Sequence, residues 1–251
     1  MRRLSPLLLV LILLCIVTPS SFGAWSFDGT NDYVETGETS GLYLPDGDWT
    51  IYANVQVPNN AGTANKFIFN TLASDFPTSG FIDWYIVQDS HATTSTRGDL
   101  WTDYGDDGNG VSGDVGSSGA PPFTGNTAYT VLFIQRSGST VTQYVGTTAS
   151  GSFTNAGFGG ITPTGLFIGA RFDLEATRFF SGNIAGFAIW NRALSTAEMA
   201  SLVNGWSPNC YVNGIPFYMP MIVDYQELQT GITVTNHGTT NSAHPRLHMC
   251  N

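Results

Sequence analysis

Short runs of apolar residues, several alternating with polar ones at the two-residue period of a strand, punctuate this chain from residue 25 onward. Runs at 25–28, 32–36, 49–57, 66–72, 81–88, 129–136, 140–146, 166–170, 183–190 and 214–222 predict strands. Gly- and Asp-rich segments separate them, mostly short enough for antiparallel neighbours. Runs 49–57 and 129–136 carry the β-branched and aromatic residues of sheet interiors. One stretch, 180–205, combines two periodicities. Its first half reads as a strand, with Ile184, Ala188 and Trp190 expected on one face and Phe187 and Ile189 on the other. Two apolar faces predict cover on both sides. Its second half reads as a short helix near 195–204. Ser195 is the expected N-cap, Glu198 completes a capping box, and Leu194 can pack on Met199 as a hydrophobic staple. Met199, Leu202 and Val203 are expected on one helical face, and Asn204-Gly205 supplies a left-handed exit.

The N-terminus changes how the rest is read. Arg2 and Arg3 precede an unbroken apolar run at 7–17, too short to span a bilayer comfortably. Ser21 and Gly23 are small residues placed for cleavage after Gly23, so residues 1–23 are expected to be a signal peptide. Cys15 follows Leu14, where lipid attachment would want a small residue. Residues 24–251 then form one domain, because no linker or repeat divides them. Losing Arg2 and Arg3 leaves seven basic against 19 acidic residues, a net charge of −12. Lys66 is the only lysine. Such a surface repels phosphate backbones and argues against nucleic acid and sulfated polyanions as partners. Cys210 and Cys250 remain as an even pair, which in an exported protein predicts a disulfide tethering the tail at 224–251. A loop of that size corresponds to roughly 3–4 kcal/mol in the chain-entropy account.

The pattern Phe180-x-Gly182-x-Ile184-x-x-Phe187-x-Ile189-Trp190-Asn191-Arg192-Ala193-Leu194-Ser195-x-x-Glu198-Met199 resembles the LamG-like, or concanavalin A-like lectin/glucanase, domains. Phe27-Asp28-Gly29-Thr30-Asn31-Asp32-Tyr33-Val34 and Leu166-Phe167-Ile168-Gly169-Ala170-Arg171 agree with that resemblance. It implies an all-β fold, a two-sheet antiparallel jelly-roll sandwich with one short helix. It also implies the functions found on that fold, which include glycan binding, protein adhesion and glycoside hydrolysis.

Hydrolysis needs two carboxylates flanking the scissile bond. Glucanase relatives place them as Glu-x-Asp-x-Glu along a strand, and none of Glu35, Glu38, Glu175, Glu198 or Glu227 lies in such a motif. A non-catalytic module is therefore expected, with a degenerate hydrolase as the alternative. The densest polar segment is 99–114, inside a region at 90–125 expected to form long rim loops. Asp103, Asp106, Asp107, Asn109 and Asp114 offer hard oxygens between glycines, a candidate calcium site without the EF-hand register. A solvated acidic turn is the competing reading. Trp84, Trp101, Tyr104 and Asp99 are the candidate sugar-contacting residues, an aromatic platform with a carboxylate for hydroxyls. For Trp84 a core position competes with that role, and Trp25, Trp49 and Trp190 read as core. The histidines at 91, 237, 244 and 248 are scattered, and Pro245 interrupts the one metal-like spacing. The expected function is recognition of extracellular carbohydrate at the loop rim, with calcium as a candidate cofactor. A structural or adhesive module contacting a cell-surface protein is the alternative.

Overall fold

A computed structural model describes residues 24–36, 47–57, 64–72, 81–86, 100–105, 112–116, 123, 128–154, 165–205, 208, 217–219 and 234–236. Residues 1–23, Cys210 and Cys250 lie outside them, and so do the expected signal peptide and disulfide.

Two antiparallel sheets of seven strands account for the described chain. The first runs β1 (Trp25–Asp28), β12 (Ser181–Trp190), β3 (Trp49–Gln56), β8 (Thr130–Ser137), β9 (Thr140–Val145) and β10 (Thr148–Thr154), with β13 (Phe217–Met219) also paired to β12. The second runs β14 (Val234–Asn236), β2 (Val34–Thr36), β11 (Gly165–Ile168), β4 (Lys66–Leu72), β5 (Phe81–Ile86), β6 (Leu100–Gly105) and β7 (Ser112–Gly116). The sequence reading missed β6, β7, β10 and β14. β7, β10 and β14 are poor in large apolar residues, and β6 lies within the Gly- and Asp-rich segment 99–114. Within the region at 90–125 expected to form rim loops, β6 pairs antiparallel with β7 instead. Among the described residues no helix is long and apolar enough to cross a membrane.

One apolar core joins the sheets. Ile51, Ala53 and Val55 of β3, Leu132 and Ile134 of β8, and Val141 of β9 meet Phe69 of β4, Ile82, Trp84 and Ile86 of β5, and Leu100 of β6. The rings of Phe69 and Phe187 lie 5.1 Å apart across this layer. A polar bridge crosses it as well. The Thr102 hydroxyl donates to Gln143 Oε1 at 2.9 Å, and Gln143 Nε2 donates to the Leu100 carbonyl at 2.9 Å. Both side chains are fully buried, so this bond ties β6 to the opposite sheet where an unpaired polar group would be costly.

In the first sheet β12 pairs with β1, β13 and β3. Its ladder with β3 shifts by one residue between Ile184 and Gly186. A bulge of this kind inserts one residue and reverses the side-chain alternation beyond it. Ile184 therefore faces the core with Phe187 and Ile189, not the outer face with Ala188 and Trp190 as strict alternation suggests. The outer face is covered as expected. Tyr52, Phe133, Ala188 and Trp190 pack there with Leu194, Met199 and Leu202 from helix α1 (Thr196–Val203) and its approach. Val203 is exposed, so the buried helical stripe is narrower than predicted.

The turn before the helix is pinned by buried polar atoms. Thr50 Oγ1 donates to the Arg192 carbonyl at 3.0 Å and accepts from the Leu194 N–H at 3.1 Å. Gln135 Nε2 donates to the Leu194 carbonyl at 2.8 Å. At the helix start the capping box is complete. Ser195 Oγ accepts from the Glu198 N–H, and Glu198 Oε2 accepts from the Ser195 N–H at 2.8 Å. Arg192 grips the same carboxylate with two bonds, at 3.1 and 2.7 Å. That guanidinium, with the Ser195 donors after it, pulls the Glu198 acid down to about 2. Unfolded, it would titrate at roughly 4.3.

Two predictions follow from this architecture. A Cβ at Gly182 would lie 2.3 Å from the Gln56 carbonyl oxygen, whereas one at Gly138, also at positive φ, would meet nothing. Gly182→Ala is expected to cost roughly 3–5 kcal/mol in denaturant unfolding, and Gly138→Ala only about 1–2 kcal/mol. Equal losses would contradict the close approach. Glu198→Gln is expected to cost about 1 kcal/mol at neutral pH. Because the folded acid is depressed, that contribution is complete above the unfolded value and is lost as pH falls towards about 2. Melting curves of both proteins should converge there; a gap unchanged with pH would refute the assignment.

Candidate functional site

Alternation along β5 sends Ile82, Trp84 and Ile86 into the core, so Asp83 and Tyr85 point outward. In β6 Leu100 and Thr102 turn inward, leaving Trp101 and Asp103 on the same outer face. Register then builds two rows across the sheet. Asn70 of β4 pairs with Asp83, Asp83 with Asp103, and Asp103 with Asp114 of β7. One step along, Phe67 pairs with Tyr85, and Tyr85 with Trp101. A register shift between Phe67 and Phe69 lets Phe67 and Asn70 share this face while Phe69 fills the core. The result is an aromatic row beside a carboxylate row. The Phe67 and Tyr85 rings are 5.1 Å apart.

The polar bonds are specific. Asn70 Nδ2 donates to Asp83 Oδ1, and Asn70 Oδ1 accepts from the Phe172 N–H at 2.9 Å. The Tyr85 hydroxyl donates to the Asp103 carboxylate, at 3.2 Å to the nearer oxygen. Asp83 is only 8% exposed. Burial first, and the Asp103 charge second, push its acid up to about 7, against the opposing pull of the Asn70 bond and the Arg171 charge. Two aspartates thus stand opposite each other on adjacent strands, and the charge of Asp103 adds to what burial does to the acid of Asp83.

The segment joining β11 to β12 borders this face on its β4 side. Its backbone is held by Gly169 N–H to the Ile68 carbonyl at 3.0 Å and by Phe67 N–H to the Arg178 carbonyl at 3.2 Å. Lys66 Nζ donates to the Thr177 carbonyl at 2.9 Å, and desolvation there lowers its basicity. Arg171 pairs with Asp173 and Glu175, and Arg178 with Glu175 at 2.5 Å. Arg178 also lies over the Phe67 ring at 5.9 Å. At the tip Leu174 adopts φ 52 and is 39% exposed.

Of the residues singled out from sequence, the structure brings Trp101 and Asp103 together, both half-buried in a strand and not in a loop. Tyr104 is also in β6, and Asp114 stands opposite Asp103 in β7. Trp84 is corrected: it is wholly within the core, its indole N–H without a partner among the described residues, and offers no platform to a ligand. Asp99, Asp106, Asp107 and Asn109 lie outside the described residues. Sequence reasoning missed Asn70, Asp83, Tyr85 and Phe67. The signal for two of them was present, because assigning Trp84 to the core sends its neighbours Asp83 and Tyr85 outward. Asn70 and Phe67 depend on a bulge that leaves no mark in composition.

Calcium needs six to eight oxygens. Among the described residues no group of three or more His, Cys, Asp or Glu side chains could hold a metal.

Comparison with known proteins places this geometry in context. Among curated proteins none matches by sequence. A candidate carbohydrate-binding protein of Bacteroides ovatus superposes with a TM-score of 0.60 at 15% identity, over 87% of this chain and 61% of its own. The chain thus spans about three fifths of that protein's length. A heptameric SAP-like pentraxin of Limulus polyphemus gives a TM-score of 0.52 at 15% identity, over 72% of this chain and 81% of the pentraxin. The CBM40 module of a Ruminococcus gnavus IT-sialidase gives 0.53 at 10% identity, over 72% of this chain and 96% of the module. At such identities the likeness is one of fold, a jelly-roll sandwich. A family model for the concanavalin A-like lectin/glucanases matches residues 28–200, and on that match the chain belongs to the concanavalin A-like lectin/glucanase superfamily.

Proposed function

We propose that this protein is an exported, non-catalytic module that binds extracellular carbohydrate on the outer face of its second sheet. The observation that carries the reading is the pairing of Tyr85 with Trp101 directly beside Asp83, Asp103 and Asn70. Sugars present apolar C–H faces and a ring of hydroxyls, and this surface offers flat aromatic area next to carboxylates and an amide. The structural likeness to a carbohydrate-binding module and to a candidate carbohydrate-binding protein supports it. Export follows from residues 1–23 as a signal peptide, with Cys210 and Cys250 closing a disulfide in the mature protein. The site differs from the rim expected from sequence: it lies on strands.

A second reading has one observation in its favour. Asp83, whose acid is raised to about 7, faces Asp103, and acid–base hydrolysis uses two carboxyls of which one keeps its proton near neutral pH. Binding remains the preferred function because Asp83 is almost entirely buried, with one oxygen engaged by Asn70.

A glycan array read in calcium and again in chelator tests the main proposal. Trp101→Ala is expected to lower affinity for the bound glycan by about 2 kcal/mol, about thirtyfold. Loss of binding in chelator would assign calcium to the hairpin turn, and binding unaffected by Trp101→Ala would refute this face as the site. Purified protein that hydrolyses the bound glycan, with turnover abolished by Asp83→Asn, would establish the second reading instead.

The acidity of Asp83 has its own stability signature. The folded group titrates at about 7 and an unfolded aspartate at roughly 3.9. Between those values the native state keeps a proton that the unfolded chain has released, so stability falls as pH rises through the window. Asp83→Asn is expected to be more stable than the parent at mildly alkaline pH, on the order of 2–4 kcal/mol. The gap should close as pH falls towards about 4. A gap independent of pH would refute the raised acidity.

A further inference from the structure

We propose that this face holds the end of a linear, neutral polysaccharide and not its interior, with the last two sugar units seated on Tyr85 and Trp101. This rests on the carbohydrate reading above and narrows it to a ligand class. Phe67, Tyr85, Trp101 and Gly116 stand opposite one another on β4, β5, β6 and β7. Of these, Tyr85 and Trp101 are outward-facing and half-buried. Adjacent strands lie about 4.8 Å apart, close to the length that one sugar unit adds to an extended chain. A chain crossing the strands therefore sets one unit on each aromatic in turn. Such stacking suits an extended chain of equatorial linkages, in which flat C–H faces recur along a ribbon. Both rings are held in place before a ligand arrives, which lowers the ordering cost of binding. The Tyr85 hydroxyl is bonded to Asp103, and Thr102, next to Trp101, is fastened to Gln143.

The two ends of this aromatic row differ. Towards β4 it is shut. Phe67 is buried, with the Arg178 guanidinium over its ring at 5.9 Å and its N–H donating to the Arg178 carbonyl. One strand further, Phe167 of β11 points away from the core between Leu166 and Ile168, yet it is buried too. Tyr33 stacks on Phe167 at 6.1 Å, and Phe179 of the bordering segment lies 6.0 Å from Tyr33. Towards β7 the row ends in Gly116, so the last described strand of the sheet sets no side chain beyond Trp101 at this level. A further unit beyond Tyr85 would meet Arg178, whereas units beyond Trp101 pass over glycine. The stop also has a chemistry. Arg178 uses its Nε on Glu175, and its terminal N–H groups remain donors for a hydroxyl of the last unit. The choice of a neutral chain follows from charge, since Asp103 flanks the row one step along the strands and the whole chain carries −10. Both repel sulfated and uronic acid polymers.

The test is calorimetric titration of the full chain with cello-, xylo- and manno-oligosaccharides of increasing length, from the monosaccharide to the hexamer. In at least one series the disaccharide is expected to bind at least about tenfold tighter than the monosaccharide, with all longer members within about threefold of the disaccharide. A bulky fluorophore on one end of the tetramer should weaken binding at least about tenfold, and the same group on the other end should leave it unchanged. Arg178→Ala, with cooperative melting confirmed, should restore binding of the weakened tetramer. Trp101→Ala should bring the disaccharide down to the affinity of the monosaccharide. Affinity that climbs with every unit to the hexamer, or a tetramer indifferent to a label at either end, overturns the end-on seat while leaving the carbohydrate reading intact. Equal weakening by both labels overturns it too, by showing a site closed on both sides. A labelled tetramer that stays weak in Arg178→Ala removes this residue as the stop. Binding of no series overturns this inference alone if the glycan array is positive, and both readings if the array is empty.

Discussion

Burial of β12 on both faces is the constraint from which most of the architecture follows. A strand with Phe187 and Ile189 on one side and Ala188 and Trp190 on the other needs a second layer on each. The opposite sheet supplies the first, and α1 supplies the second. The helix is too short to stand alone in water, since isolated helices of about 12 residues are already marginal. Its capping box, the Arg192 clamp and the buried Thr50–Gln135 contacts are what keep it on the sheet. The bulge near Ala185 completes the arrangement by re-aiming Ile184 into the core. Without it, an apolar side chain would face outward beside β1.

That dependence explains what could be read from the residues alone. Strands dense in large apolar side chains, such as β3 and β8, declare themselves, because burial on a sheet is a statement about composition. The helix did so through its caps, which are chemical and local. The edge strands did not. β7 is Ser-Gly-Asp-Val-Gly and β10 is Thr-Ala-Ser-Gly-Ser-Phe-Thr, and each is a strand only because a neighbour presents a ladder to pair with. Bulges are equally silent, being decided by how the two sheets fit.

The candidate site shows the same division at finer scale. Acidic and aromatic residues in 99–114 drew attention from sequence, and of these Trp101 and Asp103 lie on the outer face of β6. Their partners came from elsewhere in the chain, from β4 and β5, through cross-strand register that no local window reveals. What sets the character of Asp83 is mutual: its burial, the charge across the strand, and an amide from β4. The Thr102–Gln143 bridge makes the placement rigid by fastening β6 from beneath.

The segment that borders the face is anchored in a way that bears on how the protein can diversify. Its hydrogen bonds to the sheet use its own main-chain atoms: the N–H of Gly169 and of Phe172, and the carbonyls of Thr177 and Arg178. Hydrogen bonds of this kind are indifferent to the side chains that the same residues carry. Substitutions at 172–177 can therefore change the shape and charge of the border while its course over the sheet is kept. Selection for a new ligand has a ready field of variation there, separated from the residues that hold the fold.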